Sequence, residues 1–168
     1  MDRIAEFDRV SIDQFKKDYG EDLKPNDLKD IYFNVVRLPL RSTSGSAGYD
    51  FYSTKPIKLA PGETITIPTG LRCKIDDGWF LMLAPRSGLG FKYRLQLDNT
   101  IGIIDSDYYG AENEGHIMIR VTNDSKSGKI LDLELGTKFA QGIFVPYGIT
   151  IDDEANDVRT GGFGSTGV

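Results

Sequence analysis

Glycine and proline break most of this chain into short runs rich in β-branched and aromatic residues: Tyr32 to Leu38, Ile57 to Leu59, Thr64 to Ile67, Leu71 to Ile75, Trp79 to Leu83, Ile117 to Val121 and Phe139 to Val145. Runs of that kind, bounded by Pro61-Gly62, by Asp76-Asp77-Gly78 and by the Asn123 to Gly128 cluster, predict strands joined by tight turns. The fold class is therefore all-β, a sandwich or jelly roll of about ten strands. The long helices of a parallel α/β sheet are missing. A chain of 168 residues can bury the core of one such domain, and two would be cramped.

Residues 1–31 differ in character. Ser11 precedes Ile12, Phe15 and Tyr19 at helical spacing, and Gln14 stands where a capping box needs it. One short amphipathic helix is predicted, packed over an edge of the barrel rather than offered to a partner. In His116 to Val121, the residues Ile117, Ile119 and Val121 share one face, while His116, Met118 and Arg120 share the other. Both faces of Lys138 to Val145 are apolar, with Phe139, Ile143 and Val145 on one and Ala140 and Phe144 on the other. Either a partner subunit or a second sheet of the same chain covers such a strand.

Composition narrows the chemistry. One cysteine, Cys73, and one histidine, His116, rule out an internal disulfide and multi-cysteine zinc sites, and leave any Ser-His-Asp or Cys-His nucleophile a single base; both residues read as structural. Carboxylates and arginines must carry most of any catalysis. A formal net charge of -5 argues against gripping long nucleic acid. No apolar run approaches the roughly 18 residues of a membrane span, and the opening Met1-Asp2-Arg3-Ile4-Ala5-Glu6 lacks the chemistry of a signal peptide. A soluble cytoplasmic protein is the expectation.

Three clusters could act on an anion. The tail from Arg159 to Val168 joins an arginine, glycines, two hydroxyls and the lone aromatic Phe163; its composition suits a phosphate wrap or a free terminus. Arg86-Ser87-Gly88, with Lys92 nearby, follows an apolar strand and suits an anion or an ordinary turn. In Gly102 to Gly110 a hydrophobic strand runs into Asp105, Asp107, Tyr108 and Tyr109. There a carboxylate could polarise water, or simply face solvent.

Taken together, these segments closely resemble the dUTPase family of deoxyuridine triphosphate diphosphatases. Its five motifs occur in order: Ala47-Gly48-Tyr49-Asp50, Pro85-Arg86-Ser87-Gly88, Gly102 to Gly110, Gly136-Thr137-Lys138-Phe139-Ala140-Gln141, and Arg159 to Gly167. The likeness spans about residues 32 to 168. It implies a jelly-roll domain over 32–157, preceded by the extension 1–31 and followed by a Gly-rich arm, 158–168, that closes the site. Two features depart from the family pattern, the extension and an insert at Ala111-Glu112-Asn113-Glu114.

The resemblance also implies roles. Asp105 would activate the attacking water, and Tyr108 would pack under the deoxyribose so that a 2′-hydroxyl clashes. Asn99, with backbone groups of the hairpin at Gly102 and Ile104, would read the uracil. Ser87, Gly88, Arg86 and Gln141 match phosphate-side positions, Arg86 also suiting subunit contacts. Arg159, Gly164 and Ser165 would reach substrate from the arm, with Phe163 stacked on the base. Asp50 would hold Mg²⁺ through water, together with the triphosphate. The implied reaction converts dUTP to dUMP and pyrophosphate, supplying dUMP for thymidylate synthesis and keeping uracil out of DNA. The implied assembly is a homotrimer in which one site draws on several chains. The related dCTP deaminases share the fold but use a glutamate base and lack this arm, and zinc nucleobase deaminases need cysteines absent here. A regulatory module is the reading from another class, since some phage members of the family act that way, and an intact enzyme can still have a regulatory protein partner.

Overall fold

The first strand, β1 (Ala5–Arg9), lies in the segment where only a helix was expected. A computed structural model of the chain describes residues 2–20, 23–157, 159 and 161. After β1 come helices α1 (Ile12–Tyr19) and α2 (Pro25–Asp30) and a π-turn over Ile31–Val35. The strands that follow are β2 (Leu40–Arg41), β3 (Tyr49–Tyr52), β4 (Ile57–Leu59), β5 (Thr64–Pro68), β6 (Leu71–Ile75) and β7 (Trp79–Pro85). Helix α3 (Ser87–Tyr93) leads to β8 (Leu95–Leu97) and β9 (Gly102–Ile104), and a 3-10 turn over Ser106–Gly110 follows. The last strands are β10 (Met118–Asn123), β11 (Leu131–Leu133) and β12 (Lys138–Pro146).

These form an all-β, jelly-roll-like fold with antiparallel pairing throughout the described ladders. One sheet runs β2-β3-β12-β7-β9, another β5-β10-β8, and β11 pairs with β4 as β1 does with β6. Ile117, Ile119 and Val121 point into the core, with Leu81 and Leu83 of β7, Phe51 of β3 and Ile67 of β5. Each such side chain contributes about 1.5–3 kcal/mol by leaving water.

The helix behaves as read. Ser11 Oγ accepts the Gln14 backbone N–H at 3.1 Å, and Phe15 and Tyr19 are buried. The box is completed differently, however, because the Gln14 amide donates to Asp18 at 2.7 Å. Glu114, 103 positions along the chain, accepts the Ser11 N–H instead, at 2.7 Å. It is β1 that pairs along the edge of β6. Its Phe7 stacks among Tyr49, Phe51 and Phe144, but Glu6, Asp8 and Arg9 hide the strand from any apolar count.

Two further expectations are corrected. The strand expected over Tyr32 to Leu38 is mostly the π-turn, closed by Val36 N–H donating to the Ile31 carbonyl at 3.0 Å. Here packing overrides β propensity. The Tyr32 ring lies 5.6 Å from that of Phe15, and its hydroxyl donates to the Val10 carbonyl at 2.6 Å. In β12 the register slips between Lys138 and Ala140, a bulge that drives Phe139 into the core beside Ala140. The outward face then keeps Gln141, Ile143 and Val145, opposite Ala84, Met82 and Phe80 of β7.

His116 and Cys73 are structural, as read. Cys73 is buried, and desolvation pushes its thiol up to about 12, so it is inert as a nucleophile at neutral pH. His116 is fully buried; Nε2 accepts the Gly70 N–H at 2.8 Å, and Nδ1 stands 2.5 Å from Asp18. That pairing requires a neutral imidazole protonated on Nδ1. Burial lowers the histidine below 6.5, against the opposing pull of Asp18 and Glu114. A lowered folded value means that the unfolded chain takes up the proton first, so this contribution to stability is whole above about pH 6.5 and drains away as pH falls. As the sole histidine, His116 should show the neutral Nδ1–H tautomer in nitrogen NMR at about pH 6. A protonated ring there would overturn the assignment.

Candidate active site

Asp105 sits where β9 ends and the 3-10 turn begins. β9 lies tight against β7, with Gly102 opposite Leu83 and Ile104 opposite Leu81. A Cβ on Gly102 would come within 2.9 Å of the Leu83 side chain, so only glycine brings the strands this close. Side-chain exposure of 53% leaves the Asp105 carboxylate able to meet solvent and ligand. Tyr108, three residues on, is buried; its hydroxyl donates to the His116 carbonyl at 2.8 Å and accepts from Asn113 Nδ2 at 2.7 Å. Burial raises its phenol, while the Asn113 hydrogen bond and the Arg159 charge pull the other way.

Arg159 of the same chain reaches this turn. Its Nη1 lies 3.0 Å from Asp105 and 3.3 Å from Asp107, and its guanidinium stands 4.9 Å above the Tyr108 ring. Asn99 is exposed in the turn between β8 and β9, where Thr100 adopts a positive φ of 68°. Phe163, Gly164 and Ser165 lie outside the described residues.

A second cluster gathers around Asp50 on β3. Lys138 Nζ stands 2.7 Å from Oδ2 and Arg86 Nε 3.3 Å from Oδ1, and the Ser42 hydroxyl donates to Oδ2 at 2.8 Å. The residue is only 5% exposed. Burial would raise its carboxyl, but the Lys138 and Ser42 hydrogen bonds and the Arg86 charge outweigh it and hold the group below the usual carboxylate value. Gln141, opposite Asp50 across the ladder, donates to the Pro85 carbonyl at 3.3 Å. Ser87 and Gly88 open α3, both exposed.

The two clusters occupy opposite ends of β7. Ile104 is level with Leu81, so Asp105 falls beside Phe80, and the six steps from Phe80 to Arg86 span about 20 Å of strand. A cleft of about 880 Å³, lined by Arg3, Arg41, Tyr49 and Trp79 among others, includes neither Asp105 nor Arg86.

Residues 34–167 match the family model described as dUTPase. The chain belongs to the dUTPase family. The deoxyuridine 5′-triphosphate nucleotidohydrolase of Lactococcus lactis is 40% identical over 135 residues, which cover 79% of this chain and 89% of that protein. The crystal structure of the Streptococcus mutans dUTPase aligns with a TM-score of 0.63 and 30% identity, over 86% of this chain and 97% of that one. A dUTPase from phage phi11 of Staphylococcus aureus, described as coordinating a structural Mg(II) ion, aligns with a TM-score of 0.57 and 24% identity, over 76% of this chain and 94% of that one.

Direct ligation of Mg²⁺ by Asp50 does not fit the side chains around it. Both oxygens are already engaged by an ammonium, a guanidinium and a hydroxyl, so a cation there would face two positive charges. No group of three or more His, Cys, Asp or Glu among the described residues could hold a metal. Asp50 is instead the buried counter-ion that aims Arg86 and Lys138. Sequence reading quoted Lys138 in its motif without giving it a task, and passed over Ser42. The signal available was a lysine sharing the strand with Gln141 opposite the Asp50 strand. No helix among the described residues is long and apolar enough to cross a membrane.

Proposed function

We propose that this protein hydrolyses dUTP to dUMP and pyrophosphate. What carries the reading is the Gly102 to Gly110 turn of a dUTPase-family chain, which sets an exposed carboxylate, Asp105, three residues from a buried, doubly hydrogen-bonded tyrosine. Asp105 takes a proton from water as its oxygen attacks the α-phosphorus, and the bond to the bridging oxygen breaks to release pyrophosphate. Arg86 and Lys138, aimed by Asp50, and Arg159 offset the charge that builds on the leaving phosphates. The sugar packs on the Tyr108 ring, so nucleotide binding moves the Arg159 guanidinium off that ring and towards the phosphates. Mg²⁺, if carried in on the triphosphate, would help offset the charge of the phosphates. The setting for dUMP supply is the cytoplasm.

The same reading makes the site a shared one. Asp105 must stand within one water of the phosphorus, while Ser87 and Gly88 hold the phosphate chain, yet one chain separates them by about 20 Å of β7. Two chains brought end to end resolve this, and the outward face of the five-stranded sheet, with Phe80, Met82, Ile103, Ile143 and Val145, supplies an apolar surface. We take the unit to be a homotrimer. Pyrophosphate release from dUTP, set against UTP, tests the activity. Tyr108→Ala should erode the preference in kcat/KM for dUTP by about tenfold or more, as expected when a steric contact is lost. An unchanged ratio would remove Tyr108 from sugar selection.

A further inference from the structure

The segment ahead of the family match, which begins at residue 34, reaches the nucleotide hairpin at three separate points. The Tyr109 hydroxyl donates to Asp8 of β1 at 2.7 Å. Ser11 donates its N–H and its hydroxyl to Glu114 at 2.7 and 2.6 Å. Asp18 of α1 accepts from buried His116 at 2.5 Å. The two departures from the family pattern, extension and insert, are thus each other's partners.

The last two contacts bear on Tyr108. The carbonyl of His116 receives its hydroxyl, and Asn113, inside the insert, donates to that hydroxyl. The return from the insert is sharply bent, with positive φ at Glu114 (58°) and Gly115 (67°). A Cβ on Gly115 would lie 2.6 Å from the Tyr108 carbonyl oxygen. Tyr108 N–H in turn bonds the Asp105 carbonyl at 3.2 Å. A shift of the insert therefore passes to the tyrosine and to the start of the turn that carries the catalytic carboxylate, through bonds rather than soft contacts.

We propose that the N-terminal extension is a positioning element of the active site: Asp18 and Ser11, acting through His116 and Glu114, set the placement of Tyr108 and with it the selection of the deoxy sugar. The proposal rests on the reading of Tyr108 as the sugar contact. A group displaced by even about an ångström loses much of its effect.

The test uses the full chain. Asp18→Ala with Glu114→Ala cuts two tethers, while Asp18→Asn with Glu114→Gln keeps an acceptor oxygen at each. The alanine pair should raise KM for dUTP and lower the dUTP-to-UTP ratio by about tenfold, with a smaller change in kcat. Amide exchange over residues 108–116 should quicken, and the Asn/Gln pair should restore both readings. Glu114→Ala alone, at a half-buried position that leaves the Ser11 cap of α1 in place, should show a smaller shift in the same direction, which covers the case of a double variant that fails to fold. A lower melting temperature with KM, ratio and exchange unchanged would make the extension merely structural and overturn the proposal. Wild-type protein that does not hydrolyse dUTP would overturn the site reading and this proposal together; wild-type turnover that Asp105→Asn abolishes, beside alanine variants of unchanged ratio, would overturn this proposal alone.

Discussion

Asp105→Asn should lower kcat for dUTP by about 10²–10⁴-fold, the range expected for loss of a general base, while leaving binding of a non-hydrolysable dUTP analogue within a few-fold. The amide keeps the shape of the side chain and an acceptor oxygen for Arg159, 3.0 Å away in the native chain. What it lacks is the capacity to accept the water proton. Since kcat and kcat/KM should fall together, the loss belongs to the transition state rather than to ground-state binding. The fold should not suffer, because the side chain is half exposed and its ion pair with Arg159 is of the solvent-screened kind that adds little stability. Turnover near the wild-type rate would remove Asp105 from the chemistry.

Strands whose neighbours in sequence are also their neighbours in burial were legible. β6 alternates apolar and polar residues, β7 is a continuous apolar run beyond the turn at Asp77-Gly78, and both lie where the pattern put them. Where tertiary contacts choose between local options, the pattern failed. Tyr32, Phe33 and Val35 are aromatic or β-branched, yet Tyr32 closes over Phe15 and bonds the Val10 carbonyl instead of joining a ladder. β1 was invisible for the opposite reason, since Phe7 alone among Glu6, Asp8 and Arg9 makes no periodic signal.

Site residues were legible as motif members, but their partners were not. Nothing in Ala47-Gly48-Tyr49-Asp50 reveals that Lys138, 88 positions later, will neutralise the aspartate, and a lone carboxylate in a motif reads naturally as a metal ligand. Likewise the ladder that puts Asp105 and Arg86 at opposite ends of β7 depends on register, which sequence distance does not carry. His116 was correctly set aside as structural. Its link from Asp18 to the Tyr108 hydroxyl became visible only with the helix in place.

Register also yields the second large effect. Asp105→Asn removes the base; Ser87→Asp sets a carboxylate against the triphosphate at an exposed first position of α3, where an acidic residue suits the helix and folding is spared. Each variant alone should be inactive or nearly so. If every chain built its own site, each site in a mixture would still carry one lesion. About 20 Å of β7 argues instead that the Asp105 end of one chain meets the Ser87 end of the next. In a ring closed by such head-to-tail contacts, random mixing in equal amounts gives each site an intact Asp105 half the time and an intact Ser87 half the time, so about a quarter of wild-type activity should return. The contact of Arg159 with its own chain's Asp105 does not disturb this count, because both variants keep the arginine. Two tags, one per variant, would establish that the purified oligomers are mixed and that their mass is near that of three chains. Mixed oligomers without recovered activity would refute the shared site and require one chain to bring its distant clusters together by itself.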